Sequence, residues 1–259
     1  VGKGLSGAII AFLGVPFVIL LNGISLLISA FTECFIDVPR APKTGMPINL
    51  KTLFADLKDG AQYVLNDRCF RLIVIISVSA NFFGSGMGAV FLPFCLGRGL
   101  DVVQYGYLMS LQSISALIGT IFMGMLNIKP ELRIKLMLFG FPLSSLLFAL
   151  CYSMQTFNSM AFTFLITYFV SAVANAILNA AFMLIIPREK RAMISGFIMM
   201  ASSGGQALSS LAFGFIAEFV DLGLLGTVSS LISILPFILL FVYPEIQIRF
   251  MQAELSPEV

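Results

Sequence analysis

Residues 37–71 read DVPRAPKTGMPINLKTLFADLKDGAQYVLNDRCFR, the one long hydrophilic interval of the chain. It holds six of the fifteen basic residues (Arg40, Lys43, Lys51, Lys58, Arg68 and Arg71) and four acids, Asp37, Asp56, Asp59 and Asp67. Within it, Leu50, Leu53, Phe54, Leu57, Ala61 and Val64 recur every three or four residues, which places them on one face of a helix. Lys51, Asp56, Lys58, Asp59 and Gln62 fall mostly on the other. Such a helix either lies along a membrane surface or packs its apolar face on the protein itself. Either way the stretch is a hinge between two apolar regions.

Outward from the hinge the chain is greasy: 59% hydrophobic and 11% charged, with a mean hydropathy of +1.01. Apolar runs of about 20 residues cross the hydrocarbon of a bilayer. They predict an all-α, polytopic membrane helical bundle. Before the hinge, Val1 to Gly14 reads as the outer part of a helix ended by Gly14-Val15-Pro16, and Phe17–Ile36 as a full span. After it come spans at about Phe70–Phe94, Asp101–Leu126, Leu132–Tyr152, Phe157–Ile186, Ala192–Phe219 and Leu222–Tyr243, then a short polar tail. Asn66 or Asp67 is placed to cap the first of these, and Asp101 with Gln104 has capping-box spacing. The divisions are 1–36, a hinge at 37–69, a six-helix bundle at 70–245 and a tail at 246–259. The chain reads as starting inside a helix, as a fragment would.

Alternate loops share a side of the membrane, and on the hinge's side they carry thirteen basic residues against one, Arg98, on the other. By the bias of Lys and Arg toward the cytoplasm, hinge and tail are expected to be cytoplasmic. Histidine is absent, which removes His-based proteolysis, His metal sites and His proton relays. The four cysteines show no metal-like spacing and read as small buried hydrophobes. No cofactor, metal or nucleic-acid partner is expected, and no enzymatic activity.

Polar side chains inside such spans should face a neighbouring helix or a wet cavity. Asn22, Ser25, Ser29 and Glu33 share a stripe; so do Ser77, Asn81 and Ser85. Thr163, Thr167, Ser171, Asn175 and Asn179 follow every fourth residue, and Ser195, Ser202, Gln206 and Ser210 share a face, with Gln112 as a single amide. The hydroxyls are ordinary packing groups in membranes. The amides Asn22, Asn81, Gln112, Asn175, Asn179 and Gln206 are the candidates for a shared aqueous path. Glu33 and Glu218 are weak candidates for coupling to an ion, since both lie near helix ends, where an acid can snorkel to the interface. Gly84, Gly86, Pro142, Gly204, Gly205 and Pro236 are candidates for bending or gating, with close packing as the other reading.

These elements in this order resemble the carboxy-terminal part of a major facilitator superfamily transporter, in particular its macrolide-efflux-like branch of drug:proton antiporters. Gly2-Lys3-Gly4-Leu5-Ser6-Gly7 falls where the antiporter motif G-P-x-x-G-G belongs, with Lys3 and Ser6 as departures. Leu21-Asn22-Gly23-Ile24-Ser25 is similar to the N-x-x-S segment of the family's sixth helix, and Asp56 to Gly60 with Tyr63 to the signature before its seventh. Pro187, Arg191 and Gly196 match the loop entering the eleventh, whereas the loop after Gly124 lacks the family's Asp.

The resemblance implies a six-helix carboxy-terminal half plus the sixth helix and part of the fifth, with a missing N-terminal half as partner. It implies a multi-pass protein of the cell (inner) membrane that exports small amphiphilic molecules, drug- or macrolide-like, by alternating access in exchange for protons. Exporters of siderophores or lipids are the neighbouring alternative. A truncated or degenerate membrane protein that transports nothing is the alternative of another class.

Overall fold

The computed structural model describes residues 15–35, 50–126, 128–187, 190–243, 245, 247–249 and 251. The expected helix before Gly14, the first part of the hinge and the end of the tail lie outside the described residues, as do the side chains of 50–57. Nine helices are described: α1 (Val15–Glu33), α2 (Leu50–Asn66), α3 (Arg68–Gly97), α4 (Val102–Met125), α5 (Pro130–Ser153), α6 (Phe157–Ile185), α7 (Arg191–Ile216), α8 (Leu222–Ile232) and α9 (Leu235–Val242). Among the described residues there is no strand. Five segments (α3, α4, α5, α6 and α8 with α9) are long and apolar enough to span a membrane. The 26-residue α7 is less apolar because it carries Ser202, Ser203, Gly204, Gly205, Gln206, Ser209 and Ser210. It nevertheless packs along α3, the most extensive helix pair in the molecule.

The helix ends follow the local chemistry read from the sequence. Asp67 caps α3, its Oδ1 accepting from the Cys69 (2.8 Å) and Phe70 (3.4 Å) amides. Asp101 and Gln104 form the expected capping box on α4, at 2.7 Å and 3.0 Å. Between them the chain turns sharply at Gly99, at a φ of 81° that favours glycine. There the Leu100 amide donates to the Cys95 carbonyl and the Gly99 amide to that of Leu96, the Schellman pattern of a helix end. The last span departs from a continuous helix. It breaks at Ser233–Ile234, because Pro236 has no N–H to offer the carbonyl of Ile232.

The spans pack with internal symmetry. The main pairs are α3 with α7, α4 with α6, α5 with α6, α5 with α8, and α3 with α8 and α9. Exchanging the first three spans for the last three converts α3–α7 into α6–α4 and α5–α6 into the last span against α3. By contrast, α1 is exposed at every residue whose exposure is described.

Two apolar clusters fill the bundle. One, toward the hinge, gathers Ile73, Ile76, Met137, Ile177, Ile194 and Leu240 with their neighbours. The other, at the far end, holds Phe91, Phe94, Tyr152, Met160, Phe164 and Phe213. Most of the hydroxyl and amide residues within the spans fall between the buried positions of the two clusters. Ser144, Thr167, Ser202, Ser209, Ser229 and Ser230 are all buried in this belt. Close approach accompanies it: a Cβ on Gly119 would lie 2.8 Å from the Phe169 carbonyl, and one on Gly140 3.0 Å from Ala174 Cβ. The Ser115 hydroxyl donates to the Leu165 carbonyl and that of Ser209 to the Phe82 carbonyl, joining α4 to α6 and α3 to α7.

At the hinge end the described part of α2 packs on the protein. Val64 is fully buried, Gly60 abuts Met193 of α7, and Tyr63 meets Phe70 with Lys190 Nζ 3.8 Å over its ring. Of the two expectations for this helix, its C-terminal portion follows the protein-packed one. The tail returns to the same corner: Arg249 bonds Asp67 at 2.8 Å and 3.1 Å, and Arg68 meets Glu245 at 3.2 Å. Burial raises the Asp67 carboxyl, but the Arg249 guanidinium and the Cys69 and Phe70 amides outweigh it and hold it below its ordinary value of 3.8. A depressed carboxylate stabilises fully above its unfolded pKa and loses that contribution as pH falls through the folded one.

The tail latch is therefore expected to be intact at neutral pH and to loosen only below about pH 4. Asn caps a helix nearly as well as Asp, so Asp67→Asn removes the ion pair alone, at under about 1 kcal/mol. Asp67→Ala removes the cap too, about 1 kcal/mol more. Thermal unfolding of the two variants across pH measures both, and equal losses would refute the division.

Candidate functional site

A cavity of about 560 Å³ opens at the level of the polar belt, and all six spans line it. Four of the six amides singled out in the sequence meet there: Asn81 on α3, Gln112 on α4, Asn175 on α6 and Gln206 on α7. Gln206 Nε2 donates to Asn81 Oδ1 at 2.9 Å, a direct bond between α3 and α7. Asn81 Nδ2 turns back to the Ser77 carbonyl at 2.8 Å, and Asn175 Nδ2 to that of Ser171, also at 2.8 Å. Ser85 extends the seam, lying 3.2 Å from Ser210 Oγ. The Gln112 side chain makes no hydrogen bond among the described residues.

The other two amides lie elsewhere. Asn179 is exposed and outside the lining. The reason is rotation: each step of four residues overshoots one helical turn by about 40°, so from Thr163 to Asn179 the stripe turns by about 160°. Thr163 is buried, Thr167, Ser171 and Asn175 reach the cavity, and Asn179 has passed beyond it. Asn22 sits exposed on α1, which contributes nothing to the lining. Glu33 ends α1 and Glu218 follows α7; both are exposed and neither borders the cavity.

The glycines and prolines divide by surroundings. Gly84 lines the cavity and is exposed, with nothing within 4 Å of where a Cβ would stand. Gly86 is pressed against Phe213, whose Cδ2 would lie 2.4 Å from such a Cβ. Gly205 abuts Val78 at 3.2 Å, while its neighbour Gly204 faces open space. Pro142 lies within α5, which remains continuous; Pro236 sits in the first turn of α9, beside the break. That break belongs to the site, since Ser230, Ser233 and Phe237 all line the cavity. Ser233 Oγ donates to the Ser230 carbonyl at 2.6 Å and lies 3.1 Å from Ser145 Oγ on α5.

An aromatic wall, which no sequence pattern singled out, closes the end of the cavity away from the hinge. Phe91, Tyr105, Phe148, Phe164 and Tyr168 line it, drawn from four helices. Phe91 stacks on Phe164 (5.1 Å between centroids, 11°), and Phe164 meets Tyr168 edge-on at 4.6 Å. On their own helices these residues look like ordinary lipid-facing or core aromatics; only their convergence distinguishes them. Among the described residues no carboxylate, ammonium or guanidinium lines the cavity, and no cluster of side chains suits a metal ion.

Residues 74–250, well over half the chain and nearly all of the bundle, match the sequence profile of the Major Facilitator Superfamily. No curated protein and no solved structure matches the chain.

Proposed function

The chain belongs to the major facilitator superfamily and is a multi-pass membrane transporter; from that premise we propose that it exports small amphiphilic molecules in exchange for protons, in the manner of the macrolide-efflux-like branch. One observation carries this reading: a cavity of about 560 Å³ at mid-bundle, lined by both amides and aromatic rings. Its size is that of a drug-like ligand site, and its two kinds of wall suit a molecule with polar and apolar faces.

The corner where hinge helix, basic loops and tail meet is cytoplasmic in this reading, in the cell (inner) membrane. Gly84, Gly88 and Asn175 are the exposed lining residues and mark the cavity's mouth. A further six-helix half faces that mouth and encloses the substrate, and the two halves rock about the hinge. Among the described residues no carboxylate borders the cavity, so in this reading the proton-coupling acid belongs to that other half.

Proton-driven efflux of a dye and macrolide panel from vesicles carrying the full-length protein tests the proposal. Asn175→Ala and Gln206→Ala are each expected to reduce the flux at least about tenfold, a loss of about 1.4 kcal/mol in transport-competent binding. Flux untouched in both properly folded variants would make the amides helix packing and nothing more.

A further inference from the structure

We infer that this cavity receives an uncharged, hydrogen-bonding portion of its ligand and rejects ionised groups, with Gln112, Asn175 and Gln206 reading that portion. This takes the site from the transport reading above and adds the chemistry of what enters it.

The electrostatics come first. A charge carried into a mid-membrane cavity loses its hydration, and only an opposite charge or a full set of hydrogen bonds compensates. No ionised side chain borders the cavity among the described residues. The aromatic wall is no substitute. A cation is held by the face of a ring, and the two innermost rings, Phe91 and Phe164, are already covered. Phe91 is 3% exposed, with Phe164 stacked on it at 11° and Phe148 at 26°. Phe164 is fully buried. These stacked rings form a self-packed floor, with Tyr105, Phe148 and Tyr168 part-exposed around it, rather than a cage of open faces.

The hydrogen-bonding capacity left over is neutral and mixed in sign. Gln112 keeps its whole amide, both donor and acceptor. Gln206 spends one N–H on Asn81 and keeps Oε1. Asn175 spends Nδ2 on Ser171 and keeps Oδ1 at the cavity mouth. The Tyr105 and Tyr168 hydroxyls make no hydrogen bond among the described residues. Donors and acceptors interleaved on a rigid neutral surface match the hydroxyl, amide, ester or lactone groups of a ligand, which carry the same mixture. They match neither an ammonium, which only donates, nor a carboxylate, which only accepts. Among the described residues phenols are the only titratable groups in the lining.

The test uses the full-length protein in lipid nanodiscs and three naphthalene probes of one skeleton: a neutral dimethylamino ketone, its trimethylammonium twin and its sulfonate twin, with empty nanodiscs subtracting partition into lipid. The neutral probe is expected to bind at least about tenfold more tightly than either charged twin. Gln112→Glu, and independently Asn175→Asp at the exposed mouth, should each bring the cationic twin to parity or better and make its binding pH-dependent.

Equal or tighter binding of a charged twin to the unaltered protein, or no binding by any of the three, overturns the inference. Neutral-selective binding in a protein that moves nothing across vesicles would end the transport reading and leave this one standing. Brisk flux of the cationic probe would do the reverse.

Discussion

Replacing Gly226 by alanine is expected to destabilise the bundle by about 1–3 kcal/mol, and replacing it by leucine to prevent assembly. A Cβ at this position would stand 2.2 Å, 2.3 Å and 2.5 Å from three atoms of the Tyr152 ring. That ring cannot step aside. Tyr152 is 1% exposed, wedged against Phe94 at 4.6 Å and Phe148 at 5.5 Å, with its hydroxyl reaching the Met87 carbonyl at 3.5 Å. The strain would fall on the α5–α8 seam, which holds the last span to the rest. Gly86, against Phe213, is the corresponding contact on the α3–α7 seam and should behave alike. Gly204, with nothing within 4 Å, should accept alanine with little change. Thermal unfolding in detergent, read by loss of the monodisperse peak, ranks the three; a Gly226→Ala protein as stable as Gly204→Ala would contradict the packing described.

Replacing Asn81 or Gln206 by leucine is expected to abolish transport, and the double replacement is expected to recover stability without recovering transport. The 2.9 Å bond between them crosses from α3 to α7 at the cavity wall. Each single change leaves the partner amide facing a leucine, at about 1–3 kcal/mol for a half-buried polar group. Removing both replaces a satisfied polar pair by an apolar one, which costs much less. Stability should therefore be lower in both singles than in the double. Flux should be lost at least about tenfold in all three, because the paired amide surface of Asn81 and Gln206 at the cavity wall is broken in each. If the double variant transports normally, the pair fastens two helices and does not read the ligand.

Membrane class, the spans among the described residues and most of their ends were legible in the residues themselves, since they depend on local quantities. Length of apolar run and caps such as Asp67 and Asp101 act within one or two helical turns. Val64 lies on the buried face that its spacing assigned. The break at Ser233–Ile234 was half legible: Pro236 announced it, but whether a proline bends or interrupts a helix depends on its neighbours.

Within the candidate site the sequence determined which side chains were polar enough to require a wet or hydrogen-bonded setting: Asn81, Gln112, Asn175 and Gln206. It could not separate Asn175 from Asn179, because a four-residue repeat drifts around the helix and only packing fixes which azimuth faces inward. Nor could it find the aromatic wall. Phe91, Phe148 and Phe164 are remote in the chain, and each has the character of any apolar residue in a span. The tertiary structure alone decided that these rings close on one another and leave a neutral amide surface open. Convergence is a property of the angles between helices, and no single helix carries that information in its own sequence.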